Sequence, residues 1–262
     1  MKPSIIRFVP ALALLPLALI SCDAKSSDAP AQATTADVSA PPASSLEAAY
    51  ARAIAYGDSQ SATVIACQLV DAMPEKAGIW KEELAKLYFT TRRLASCERV
   101  CEDLIQHHGA AEKTPILEMR AMSLEGTGRK QDAIQAWRGL WEKAPNASCA
   151  VRLAGLQFET GGLDDADKTI AAALALKDVE EAKITLPKSQ SQMQQVPAAA
   201  ALHHLRALLL LKRDPTAKDA AKAELDAALK LFPDFELAKR HLKGIETPKK
   251  EEAPKEEAPV QK

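Results

Sequence analysis

The chain of 262 residues is poor in the features that mark most enzymes and nucleic-acid-binding proteins. Aromatic side chains make up 4% of it, glycine occurs ten times and cysteine five times. The few glycines are scattered, so no phosphate-cradling loop is present, and neither a nucleophile elbow nor a His-Glu-x-x-His zinc run occurs. Lys and Arg number 34 against 35 Asp and Glu, for a formal charge of −1. That balance leaves no basic stripe to neutralise phosphates and excludes nucleic acid as a partner class. No apolar run approaches the ~20 residues that a membrane-spanning helix needs. Runs of alternating Val, Ile, Thr or Tyr are missing too, and the nearest case, Ile184-Thr185-Leu186 before Pro187, is too brief to build a sheet on.

Ala and Leu in long amphipathic stretches are abundant, in a chain that is 47% apolar. This predicts an all-α fold over residues 44–246. The two ends differ in kind. Met1-Lys2 and Arg7 precede thirteen residues, Phe8 to Ile20, of apolar character, the charged-then-apolar order of a secretory signal. The stretch closes on Leu19-Ile20-Ser21-Cys22, which resembles the lipobox of bacterial lipoproteins. By that resemblance residues 1–21 are a signal peptide and Cys22 is lipidated, with a thioether-linked diacylglyceryl group and an N-linked acyl chain such as palmitate. Each buried acyl methylene contributes about 0.8 kcal/mol, so several chains on one residue give durable attachment. Removal of Lys2 and Arg7 with the signal takes the charge from −1 to −3. Residues 22–43, rich in Ala, Ser, Thr, Asp and Pro, read as a disordered tether, and residues 247–262, which carry Lys250-Glu251-Glu252-Ala253-Pro254 and its immediate repeat, as a solvated tail. Asp23 after the cysteine is similar to an inner-membrane retention signal, while other lineages sort differently, so both membranes stay open. The expected location is the bacterial cell envelope, with the folded part facing the periplasm.

Within 44–246 a period is visible. Ala62 precedes Pro74 by twelve residues, Ala133 precedes Pro145 by twelve, and Ala221 precedes Pro233 by twelve. Ala66, Trp137 and Leu225 follow the three alanines at four residues. Before Ala133 come Leu117, Ala121 and Leu124, with Gly128-Arg129 as the turn; before Cys97 come Trp80, Ala85 and Tyr88, and Cys101 follows it. Gly161, Ala166 and Ile170 make a further copy. This pattern resembles the tetratricopeptide repeat (TPR), whose period is 34. Sites at 62, 97, 133, 166 and 221 are separated by 35, 36, 33 and 55 residues. The resemblance implies an α-solenoid of about five helix pairs, a C-terminal capping helix over Phe235 to Ile245 with Arg240 and Lys243 facing water, and an insertion near 177–197 that emerges as a loop.

It also implies a protein or peptide partner held by the first helix of each pair. The residues placed to line that groove are Glu82, Lys86, Glu118, Met122, Glu125, Glu159 and His204. Glu82, Glu118 and Glu159 share a sign, which points to a basic partner segment. The function expected is a membrane-anchored interaction scaffold or adaptor in the cell envelope, non-enzymatic and without a cofactor. The alternative is an envelope enzyme or ligand receptor sited at 177–197, which requires His203 to reach Ser189 or Ser191. His107-His108 and His203-His204 are adjacent pairs whose side chains diverge by about 100° on a helix, so neither pair chelates a metal from one face. Cys67, Cys97, Cys101 and Cys149 are either disulfide partners or small buried thiols; the sequence leaves both open.

Overall fold

The computed structural model describes residues 42–189 and 191–247. The expected signal peptide, Cys22, nearly all of the expected tether and nearly all of the expected tail lie outside the described residues. Among the described residues the chain forms α1 (Ala43–Ala55), α2 (Ser59–Ala72), α3 (Ala77–Thr90), α4 (Leu94–His107), α5 (Thr114–Gly126), α6 (Lys130–Lys143), α7 (Ala147–Glu159), α8 (Leu163–Leu174), β1 (Lys183–Pro187), β2 (Met193–Pro197), α9 (Ala198–Arg213), α10 (Lys218–Leu231) and α11 (Glu236–Glu246). None of these helices is long and apolar enough to cross a membrane.

Each helix from α1 to α8 packs on the next in sequence, α3 also touches α5, and α7 also touches α9. This is the stacking of helix pairs that the period requires, because one pair cannot bury both of its apolar sides. The period is set by small residues. Ala62, Cys97, Ala133, Ala166 and Ala221 fall on the second helix of successive pairs, and every one is fully buried. Absence of a large side chain there lets neighbouring backbones approach: the Cys97 thiol donates to the Ala85 carbonyl at 3.4 Å. On α7, a first helix, the buried Cys149 thiol likewise donates to the Trp137 carbonyl at 3.4 Å. All four described cysteines are free thiols; Cys67 is exposed and the other three are buried. Cys97 and Cys101 place their sulfurs 3.9 Å apart on one helix, well beyond the ~2.05 Å of a disulfide.

The turns inside the pairs repeat as well. Gly57, Arg92, Gly128 and Gly161 all have positive φ, and each precedes its buried small residue by five positions. The next residue's amide reaches back five residues, as in Arg129 to the Leu124 carbonyl at 3.0 Å. Such a left-handed residue closes a helix by satisfying its last carbonyls, and glycine adopts it without steric cost.

The insertion corrects the sequence reading. Residues 183–197 are not an irregular loop: β1 and β2 pair antiparallel with Ile184 opposite Val196 and Leu186 opposite Gln194. Side chains alternate between the two faces of a strand. Ile184 and Leu186 therefore pack with fully buried Val196 against α9 and α10, while Lys183 and Thr185 stay exposed. At the C-terminal end α11 closes the stack, with Phe235 fully buried and Arg240 and Lys243 exposed.

Candidate functional site

α5 and α7, each the first helix of its pair, bring side chains to the same region as β1. Between them lies a cavity of about 580 Å³, lined by Glu125 of α5, Lys130 of α6, Ser148, Val151, Arg152, Gly155, Leu156 and Glu159 of α7, and residues 183–186 of β1. A smaller one of about 150 Å³ adjoins it, sharing Ser148 and Arg152 and reaching Glu118, Met122, Trp137 and Cys149.

Apolar surface from Val151, Leu156, Ile184 and Leu186 alternates with charge along the larger cavity. The Arg152 guanidinium donates to both Glu125 carboxylate oxygens at 3.2 Å and lies over the Trp137 ring at 5.8 Å from its centre. Lys130 pairs with Glu159 at 2.9 Å. Glu118 and Lys183 have no ion pair among the described residues. Burial, reinforced by the Glu118 carboxylate, pushes the Cys149 thiol up to about 12, so that sulfur stays protonated. At Gly155 an added Cβ meets nothing within 4 Å, so the cavity floor is open at mid-helix.

Of the residues expected to line a groove, Glu118, Met122, Glu125 and Glu159 meet at these two cavities. Glu82 and Lys86 sit on α3 outside them, where Glu82 pairs with Lys113 and Lys86 with Glu83 at 2.6 Å. His204 is not on the open face. It is buried against Phe235, with its Nε2 2.7 Å from Nδ1 of His241. The reason is the capping helix, which covers the face of α9 that an additional repeat would otherwise occupy. A uniformly acidic groove is not formed either, since Lys130, Arg152 and Lys183 interleave with the glutamates.

The sequence does carry a signal for Arg152 and Leu156: they follow Glu118 and Met122 by 34 residues, the step that links Glu125 to Glu159. The contribution of β1 had no such signal. His203 is hydrogen-bonded to Glu224 at 2.7 Å; Ser189 and Ser191 are exposed beside the hairpin turn, and neither is hydrogen-bonded to His203. Among the described residues no group of three or more His, Cys, Asp or Glu side chains is placed to hold a metal.

The architecture defines the class: an α-solenoid of stacked TPR-like helix pairs, closed by a capping helix. Comparison with solved structures agrees on the fold. YrrB, a TPR protein with an unusual peptide-binding site, superposes with a TM-score of 0.57 at 14% identity, over 74% of this chain and 88% of that one. Two structures of MamA superpose at 0.51 and 0.52, each at 13% identity, over 79% and 74% of this chain and 96% of theirs. No protein-family model matches the sequence. No curated protein matches it either. At these identities the likeness is one of fold.

Proposed function

We propose that the chain is a lipid-anchored TPR-type adaptor of the bacterial cell envelope that holds a peptide segment of a partner protein between α5, α7 and β1. One observation carries the reading: a cavity of about 580 Å³ among the described residues is an open groove in which Glu125 and Glu159 stand one TPR period apart, with apolar surface beside paired charges. Peptide recognition needs that mixture, since apolar pockets supply affinity and placed polar groups supply register. The peptide-binding site of YrrB supports the same use of the fold. An enzyme at 177–197 is the weaker reading, because His203 is committed to Glu224 and makes no hydrogen bond with Ser189 or Ser191.

The anchor rests on the lipobox-like run at Cys22. With Cys22→Ala the chain is expected to leave the membrane pellet after a carbonate wash, or to persist as uncleaved precursor. Equal retention with normal processing would remove the anchor from the account. The groove is tested by a photo-crosslinking amino acid at position 155, compared with one at exposed Asp226 of α10. Adducts to a discrete protein are expected from position 155 alone. Equal or absent adducts at both positions would refute the groove.

A further inference from the structure

We infer that the groove takes its occupant as a third β-strand, hydrogen-bonded to the free edge of β1. The inference rests on the peptide-binding reading and specifies the conformation of the peptide.

The backbone decides which groups are free. In an antiparallel pair, directly opposed residues exchange hydrogen bonds at every second position. At the two ends of this ladder the Ala198 amide donates to the Ala182 carbonyl at 2.7 Å, and the Lys188 amide to the Gln192 carbonyl at 2.7 Å. With Ile184 opposite Val196 and Leu186 opposite Gln194, the bonded positions of β1 are the even-numbered ones. The amides and carbonyls of Lys183 and Thr185, and the carbonyl of Pro187, therefore point away from β2. None of them has a hydrogen-bond partner among the described residues.

That free edge faces the groove. Successive side chains leave opposite faces of a strand, so a cavity lined by four consecutive residues, 183–186, meets the strand along its backbone edge and not along one face. Across the gap Gly155 contributes no side chain, and nothing lies within 4 Å of where its Cβ would be. A strand seated ~4.8 Å from β1 would enter the open space of this cavity on the side of Gly155. An exposed edge of this kind is a template for strand addition, with main-chain bonds giving affinity and alternate side chains giving specificity.

Charge states what those side chains are. The groove's inner ions are satisfied within the chain, Arg152 by Glu125 and Lys130 by Glu159. The unpaired ones are Glu118 in the smaller cavity and Lys183 at the start of β1. The occupant is an extended segment with apolar residues at alternate positions, flanked by a basic side chain for Glu118 and an acidic one for Lys183. It comes from a partner protein, because neither residues 22–43 nor residues 247–262 of this chain carry large apolar side chains at alternate positions.

The test uses the full chain in detergent and a fluorescein-labelled nonapeptide of alternating valine and threonine, lysine at one end and aspartate at the other, with both termini blocked. Two N-methylated forms are compared, one methylated at the valines and one at the threonines. Amides of alternate residues point to opposite edges of a strand, so one pattern blocks pairing with β1 and the other does not. Fluorescence anisotropy should show binding of the parent peptide, a loss of about tenfold or more for one pattern, and little change for its complement, since each net hydrogen bond is worth roughly 1 kcal/mol, or about fivefold. Thr185→Pro, which removes an outward amide while leaving the β1–β2 bonds in place, should weaken binding similarly, and Thr185→Ala should not. Equal effects of the two patterns, or no binding of the parent peptide, would overturn the inference. Gly155→Trp separates the two levels. Binding that is lost in that variant but indifferent to methylation pattern leaves a peptide groove without strand addition; binding that survives it removes the groove as well.

Discussion

Acidification should loosen the C-terminal end of the solenoid, and His204 sets the size of the effect. Its ring is buried on α9, stacked on His241 of α11 with centroids 4.9 Å apart and set edge-on to Phe235 at 5.1 Å. Its Nε2 shares a hydrogen bond with Nδ1 of His241, so at least one of the rings is neutral. Burial, and next the His241 charge, pull His204 from 6.5 down to about 4. Burial, and then Arg240, lower His241 as well. A histidine with a depressed native pKa stabilises the fold fully above its unfolded value of ~6.5 and loses that stability as pH falls toward the native value, because the unfolded chain binds more protons. Linkage over this shift gives a loss of about 2 kcal/mol between pH 8 and pH 5, and His241 acts in the same direction. Ends of repeat arrays open locally, so the loss should appear as faster hydrogen exchange in α11, after correction for intrinsic rates, and as a lower urea midpoint. His204→Phe should flatten both responses between pH 5 and 8. An α11 equally protected at both pH values in the native chain, or an unaltered pH response in the variant, would refute the reasoning.

Two further substitutions probe the repeat itself. Arg92 is the one non-glycine residue with positive φ among the described residues, and Arg92→Gly should raise stability by a few tenths to about 1 kcal/mol, read as a higher melting temperature. Ala133 is fully buried where α6 crosses its neighbours, so Ala133→Trp should cost about 1–3 kcal/mol or more by overpacking; an unchanged melting temperature would mean that the crossing is not close-packed.

The fold was readable because its determinants are local and repeated. A small residue at 62, 97, 133, 166 and 221, with a left-handed turn residue five positions before each of the first four, fixes where helices cross and where they end. The same period, applied once more, gives Arg152 and Leu156 from Glu118 and Met122. The hairpin was not readable, since Ile184 and Leu186 supply only two inward positions and the partner strand carries Gln194 and Gln195, residues without strong strand preference. What stabilises it is tertiary: Val196 and Ile184 resting on α9 and α10. His204 was misplaced for a related reason, because its position on α9 matches the groove register while the covering helix arrives from 32 to 42 residues further along the chain.

The central claim is that the open space beside Gly155 is where the partner sits, and Gly155→Trp addresses it most directly. The position is helical and its Cβ direction is empty, so the indole fills the groove without entering the core, and replacement of a mid-helix glycine favours the helix by up to ~1 kcal/mol. Binding of the protein captured by cross-linking at position 155 would be measured against this variant by calorimetry, with circular dichroism confirming the helical fold. The account predicts a loss of affinity of at least about tenfold, on the order of 1.4 kcal/mol, with the melting temperature unchanged or raised. Undiminished binding in the folded variant would contradict it.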